Sequence, residues 1–255
     1  DSSTSRGLGD VYKRQIQFGH NDCANGKGYI EDRYVPLGEP DANGIYPVTA
    51  GTKVATPSSL ASKYGDSFYS YDCGGTYKWY LTQYIETARE VGAIPVLVTP
   101  VSRLYYTNDG TIKPHHDSTD TTTGTLVTEN NAYVEAVKQL AKEQNVLLID
   151  GFEITKNMYE EAYKADEKAA NGKSVNGMQV MSAGDSTHSN KLGGFITAEL
   201  FAQQIQNMNI SLSKAVKSPS RVAGVNPDGQ QVFVVDKNGC LLYTSPSPRD
   251  VEESR

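Results

Sequence analysis

Two stretches of the chain are almost continuously apolar: residues 94–100 (IPVLVTP) and 146–150 (VLLID). Runs of this kind read as parallel strands buried on both faces, because covering helices leave no solvated side for polar residues to alternate towards. Ile16-Gln17-Phe18 reads as the end of a third strand. Between these runs the period changes to that of a helix. Over 76–91, Tyr77, Leu81, Tyr84, Ala88 and Val91 recur at three- and four-residue spacing, and Gly92 suits the C-terminal cap because it tolerates positive φ. Thr128 is placed to cap a helix over 129–144, with Tyr133, Val137, Leu140 and Ala141 on one face. A weakly amphipathic helix is expected over about 152–170, and a last one over about 191–208, where Leu192, Ile196, Leu200, Phe201, Ile205 and Met208 are candidate buried positions. Strands alternating with helices predict right-handed βαβ crossovers and a parallel sheet, the α/β class. QVFVV at 231–235, after a Pro-Ser linker at 218–220, predicts one further strand and the start of a possible β module.

The polar segments divide the chain further. Residues 24–74 are rich in Gly, Pro, Ser, Asp and Tyr, and 101–127 form a second long polar loop. Insertions this long in a compact domain often belong to a functional site. Val11-Tyr12-Lys13-Arg14-Gln15 places two cations and an amide where a buried strand would have to run, and burying unpaired charge is costly. Residues 11–15 are therefore not expected to form the buried middle of the strand that ends at Ile16-Gln17-Phe18. Residues 1–15 and 240–255 are unpatterned and resemble translated adapter or vector sequence, with native disordered tails as the alternative. The expected organisation is a leader over 1–15, an α/β domain over 16–210, a linker and possible β module over 211–239, and a tail over 240–255.

Composition narrows the function classes. The net charge is −6 with both signs scattered; no basic stripe points to nucleic acid. No run of eighteen apolar residues predicts a membrane span. Sixteen tyrosines accompany a single tryptophan. Such rings pack on sugar faces while their hydroxyls bond the rim, although tyrosine is also common in loop-rich secreted proteins. Cys23, Cys73 and Cys240 make an odd count, so Cys23 and Cys73 form one disulfide or remain two thiols.

Two short motifs carry candidate chemistry. Gly19-His20-Asn21-Asp22 follows the end of a strand, where ligands of open α/β sheets sit. There Asn21 can aim an amide N–H at a developing oxyanion, or the segment is an ordinary Asn/Asp turn. Asp185-Ser186-Thr187-His188 sets a carboxylate three residues before an imidazole. One turn can present both side chains, the carboxylate fixing the tautomer and stabilising the imidazolium; a helix N-cap beside a surface histidine is the plainer alternative. Gly65-Asp66-Ser67 lies in a polar loop with no strand to hold a nucleophile elbow. Gly184-Asp185-Ser186 would use an aspartate already committed to His188. His115 and His116 read as solvated loop residues, and no metal-ligand spacing is present. Tyr69, Tyr71, Tyr77, Trp79 and Tyr80 are candidates for a sugar cleft, with helix packing the other account of Tyr77 and Tyr80. Arg103 reads as a surface arginine, or as a contact for an acidic sugar.

Taken together, FGHND, DSTHSNKLGG, the stretch GGTYKWYLTQYIETAREVGAIPVLVTPVSR and the segment AYVEAVKQLAKEQNVLLID resemble SGNH (Gly-Asp-Ser-Leu type) hydrolases of the rhamnogalacturonan acetylesterase branch, over about residues 16–210. The resemblance implies a three-layer α/β/α, flavodoxin-like SGNH fold without its first strands. It implies a secreted, monomeric serine esterase that deacetylates plant-wall rhamnogalacturonan and needs neither cofactor nor metal. Esterases of the same fold acting on xylan or small acyl esters, and a non-catalytic carbohydrate-binding or scaffold protein, are the alternatives. Residue by residue, His188 corresponds to the general base, Asp185 to its orienting carboxylate, Asn21 to the oxyanion donor and Gly19 to the residue shaping its loop. The family's nucleophile block and second glycine block have no counterpart before Ile16. The chain is therefore expected to be an N-terminally truncated fragment that is inactive by itself.

Overall fold

A computed structural model of the protein describes residues 13–23, 34–51, 74–119, 126–127, 129–165, 182, 184–214, 216, 223–225, 231–235 and 241–243. The chain forms two compact units, Asp1–Pro100 with Pro114–Ile149, and Val101–Lys113 with Asp150–Arg255.

The first unit is α/β, with strands and helices in the order β1 (Lys13–Gln17), α1 (Tyr77–Glu90), β2 (Ile94–Val98), β3 (Ser118–Thr119), β4 (Leu126–Val127), α2 (Ala132–Glu143) and β5 (Leu147–Ile149). β1, β2 and β5 make a parallel sheet in that order, with Ile16 opposite Leu97 and Val98 opposite Ile149. The expected parallel α/β sheet is therefore present. Its core joins Ile16 and Leu97 to Leu81 and Ile85 of α1 and to Val137 and Leu140 of α2.

Several boundaries differ from expectation, each for a physical reason. β1 runs over Lys13–Gln17 and so includes the two cations and the amide that argued against a strand there. Among the described strands it lies at the sheet edge, and Arg14 and Gln15 are exposed there, so their charge and amide are never desolvated. On α1 the buried face is Tyr77, Lys78, Leu81, Thr82, Ile85 and Ala88, while Tyr84 and Val91 are exposed. The face turns because two polar residues on it are satisfied. Lys78 Nζ donates to the Tyr46 carbonyl at 2.8 Å and to Glu143 Oε1 at 2.6 Å, and Thr82 Oγ1 donates to the Lys78 carbonyl. Gly92 follows the helix with φ +73°, as a C-terminal glycine should. α2 begins after Asn131, itself at φ +47°, not after Thr128, which lies outside the described residues. Its buried face includes Tyr133, Val137, Leu140 and Ala141, as the spacing predicts. The polar loop 101–127 contains β3 and β4, paired antiparallel.

The second unit contains α3 (Gly151–Ala165) and α4 (Lys191–Asn207). Expected to be weakly amphipathic, α3 in fact buries Phe152, Thr155, Met158, Tyr159 and Ala162, a regular three- and four-residue stripe. The stripe is hard to read because Thr155 belongs to it, its hydroxyl satisfied by the Gly151 carbonyl. Met158, Tyr159 and Ala162 meet Leu104, Ile112 and Ile196 in one core, with Leu200 packed against it. Phe201, Ile205 and Met208 are half-buried, and the Leu192 side chain lies outside the described residues. Asn190 caps α4, accepting from Gly193 N at 2.9 Å. β6 (Ala223–Val225), β7 (Gln231–Val235) and β8 (Leu241–Tyr243) form an antiparallel sheet in that order. The strand expected at 231–235 is β7; Leu241-Leu242-Tyr243, read as unpatterned, supplies its neighbour. Among the described residues no helix is long and apolar enough to cross a membrane.

Candidate active site

In the first unit β1 ends in a turn that sets Gly19 at φ +107°. A Cβ at this position would lie 2.4 Å from Tyr77 Oη and 2.7 Å from Pro100 Cγ. Both the dihedral and the close approach therefore call for glycine. Tyr77, fully buried, lies under the turn and donates to the Phe18 carbonyl at 2.8 Å. Asp22 closes the turn: its Oδ2 accepts from Gly19 N at 2.9 Å, and its carbonyl accepts from Val35 N at 3.1 Å. Burial pushes the Asp22 carboxyl up to about 6, against the smaller lowering effect of the Gly19 and neighbouring backbone N–H groups. Asn21 stands exposed on this turn.

Beside the turn, Phe18, Asp22, Tyr77, Tyr80 and Tyr84 contribute to a cavity of about 160 Å³, smaller than the roughly 300–1,000 Å³ of small-molecule sites. Phe18 and Tyr84 stack at 4.9 Å. Tyr80 is engaged by Gly74 N, which donates to its hydroxyl at 2.7 Å, and its ring meets Trp79 edge-on. Tyr69, Tyr71, Ser67 and Cys73 lie outside the described residues, as does Cys240; Cys23 is buried. His116, expected in solvent, is fully buried, with the His20 ring 5.2 Å and the His115 ring 4.5 Å from its own. Its segment folds inward because Asn131 Oδ1 accepts from the backbone N–H groups of both His115 and His116. Among the described residues no group of three or more metal-ligating side chains comes together.

In the second unit, Asp185 and His188 meet as their spacing predicts. Asp185 Oδ2 lies 2.8 Å from His188 Nδ1, while Asp185 Oδ1 accepts from the backbone N–H groups of Thr187 at 2.6 Å and His188 at 2.7 Å. The bond from the His188 ring, then the two backbone donors, holds the Asp185 carboxyl down at about 2. An ionised carboxylate only accepts, so the bond to a neutral imidazole requires the proton on Nδ1 and leaves Nε2 as an acceptor. The His188 side chain is 74% exposed. A neutral imidazole with a fixed tautomer and an accepting nitrogen in solvent is equipped to take a proton from a nucleophile.

The turn is tied down from three sides. Leu104 N donates to the Ser186 carbonyl at 2.9 Å. Ser182 Oγ donates to the Asp185 carbonyl and accepts from Gly184 N at 3.0 Å. Arg103 Nη1 donates to Thr187 Oγ1 at 2.6 Å. Arg103 is thus no surface residue: it is 8% exposed, drawn inward by the hydroxyl beside His188. Its sequence neighbourhood, a polar loop after a strand, carries no sign of this.

Two curated proteins of Bacillus subtilis (strain 168) are similar in sequence to this chain. "Probable rhamnogalacturonan acetylesterase YesY" is 36% identical over 143 residues, which are 55% of this chain and 55% of that protein. "Rhamnogalacturonan acetylesterase RhgT" is 32% identical over 146 residues, 54% of each. Over about half its length, this chain resembles rhamnogalacturonan acetylesterases. It likewise spans about half the length of the curated relatives it matches. No family model matches the chain. Among solved structures, the crystal structure of protein YxiM from Bacillus subtilis is 20% identical with a TM-score of 0.38, over 52% of this chain and 31% of that one.

Proposed function

We propose that this chain supplies the acid–base residues of a carbohydrate acetylesterase. His188 is the general base that activates a serine, and Asp185 holds its tautomer and stabilises the imidazolium formed on proton transfer. The observation that supports this best is the 2.8 Å bond between Asp185 Oδ2 and His188 Nδ1 on an exposed turn. It is the pairing that acyl transfer needs, in a chain similar to two acetylesterases. By the same resemblance Asn21 is the oxyanion donor and Gly19 shapes its turn. The substrate is an acetylated plant-wall polysaccharide, rhamnogalacturonan, met outside the cell, and the attacking serine is not assigned in this chain.

Acetate release from acetylated rhamnogalacturonan and acetylated xylan, measured on this chain and on the full product of its gene, tests the reading. The chain alone is expected to release none. The full product is expected to favour rhamnogalacturonan and to lose about 10³-fold or more in kcat on His188→Ala. Release that is unaffected by His188→Ala, or binding of the polysaccharide without any turnover by the full product, would sink the reading. Release by the chain alone, abolished by Ser67→Ala, would identify Ser67 as the nucleophile.

A further inference from the structure

We propose that Arg103 is a positioning residue for His188, acting through the Thr187 hydroxyl to hold the Asp185–His188 turn in its paired geometry. The inference rests on the base role assigned above and adds to it a residue that the turn itself does not contain.

The turn needs an external tie. Asp185 and His188 are exposed, at 52% and 74% of their side chains, and an exposed pair of this kind gains little from its own attraction. The bonds that Thr187 N and His188 N donate to Asp185 Oδ1 are local, spanning two and three residues. They shape the turn without attaching it to anything. Among the described residues, the ties to the turn from far along the chain come from the 102–104 segment. Ser102 N donates to Thr155 Oγ1 at 2.8 Å, within the buried stripe of α3, and Ser102 Oγ donates to the Arg103 carbonyl at 2.9 Å. Arg103, buried at the next position, reaches Thr187 Oγ1 at 2.6 Å. Leu104 N takes the Ser186 carbonyl. A continuous path therefore runs from the helix core, through Thr155, Ser102 and Arg103, to the residue preceding His188.

Arg103 is suited to this role. A guanidinium is always charged and planar, so a hydrogen bond from it to a hydroxyl is charge-assisted and directional. Burial lowers the local dielectric and strengthens such a bond, which favours the geometry with Thr187 in place. Thr187 in turn offers its backbone N–H to Asp185. Moving its side chain therefore moves the atom that orients the carboxylate, and with it the ring bonded to that carboxylate.

The ring nitrogens of His188, read by long-range proton–nitrogen NMR on this chain at neutral pH, provide the test, since they report the tautomer whether or not the chain hydrolyses anything. In the unsubstituted chain the Nδ1–H form is expected to dominate. Thr187→Val keeps the side-chain shape and removes the acceptor; the ring is expected to lose the fixed tautomer, with more than half the population moving to the Nε2–H form. Thr187→Ser restores the hydroxyl and is expected to restore the Nδ1–H form. Arg103→Met is expected to match Thr187→Val; should it disturb folding, seen in the methyl signals of Met158 and Ile196, the threonine pair still decides. An unchanged tautomer in Thr187→Val, with those signals native, would overturn the proposal and leave the base role intact. Absence of the Nδ1–H form in the unsubstituted chain would overturn both.

Discussion

The turns at Gly19–Asp22 and at Asp185–His188 are built alike and behave in opposite ways. Each is closed by an aspartate that accepts a backbone N–H three residues away: Gly19 N in the first, His188 N in the second. Yet the Asp22 carboxyl is pushed up to about 6 and the Asp185 carboxyl is held down at about 2. The first turn lies on buried Tyr77, and desolvation outweighs its backbone donors. The second stands in water, where donors act with little desolvation to oppose them, and a histidine side chain adds the largest share. Local hydrogen bonding is thus not enough to set the charge of a carboxyl; the medium around the turn decides which effect wins. The first turn is held by fit against the core, the second by discrete side-chain ties.

Substitutions can break this contrast one side at a time. The largest effect is expected from Gly19→Ala. The new methyl would meet Tyr77 Oη and Pro100 Cγ inside contact distance, at a φ that alanine rarely adopts. A loss of about 2–4 kcal/mol is expected in urea unfolding. The same change at Gly184, on the other turn with φ +113°, should cost less, because Gly184 is exposed where Gly19 is buried; equal losses would refute the distinction.

Next is Asp22→Asn. A carboxyl raised to about 6 binds its proton more tightly folded than unfolded, so folding is favoured below about pH 4, and that stability is lost as pH rises through 6. The amide of the substituted side chain keeps an acceptor for Gly19 N without the buried charge. The change should stabilise the protein at pH 7 by about 1–3 kcal/mol and flatten the fall between pH 4 and 6. A destabilised Asp22→Asn at pH 7 would show that the ionised carboxylate is supported there.

The smallest effect concerns Asp185. A depressed carboxyl contributes above its unfolded value and loses that contribution as pH falls towards 2. Carbon-detected titration should place its midpoint near 2, and His188→Ala should raise it towards the ordinary carboxylate range. A midpoint unmoved by that substitution would mean that backbone donors alone set it.

Structure was legible in the sequence where one local rule suffices. The apolar runs became β2 and β5, the spacing of Tyr133, Val137, Leu140 and Ala141 became the inner face of α2, and the interval from Asp185 to His188 became a hydrogen bond. It was hidden where a polar residue is buried against a partner that hydropathy does not register. Lys78, Thr155, His116 and Arg103 are all buried. Lys78 meets Glu143 and Arg103 meets Thr187, both far along the chain, while Thr155 bonds back to Gly151 within its own helix. The strand at Lys13–Gln15 was hidden for another reason: charge argued against it, and alternation says nothing about whether a strand lies, as this one does among the described strands, at an edge.

What the sequence by itself determined is the α/β order of elements, the resemblance to acetylesterases and the carboxylate–imidazole pair, since each depends on residues close in the chain or on their pattern along it. Tertiary structure alone decided the environment of each turn: that Asp22 is desolvated over Tyr77, that Asp185 is solvated, and that Arg103 is turned inward to Thr187. Those outcomes follow from packing between segments remote in sequence, and desolvation and hydrogen-bond satisfaction exist only once such segments meet.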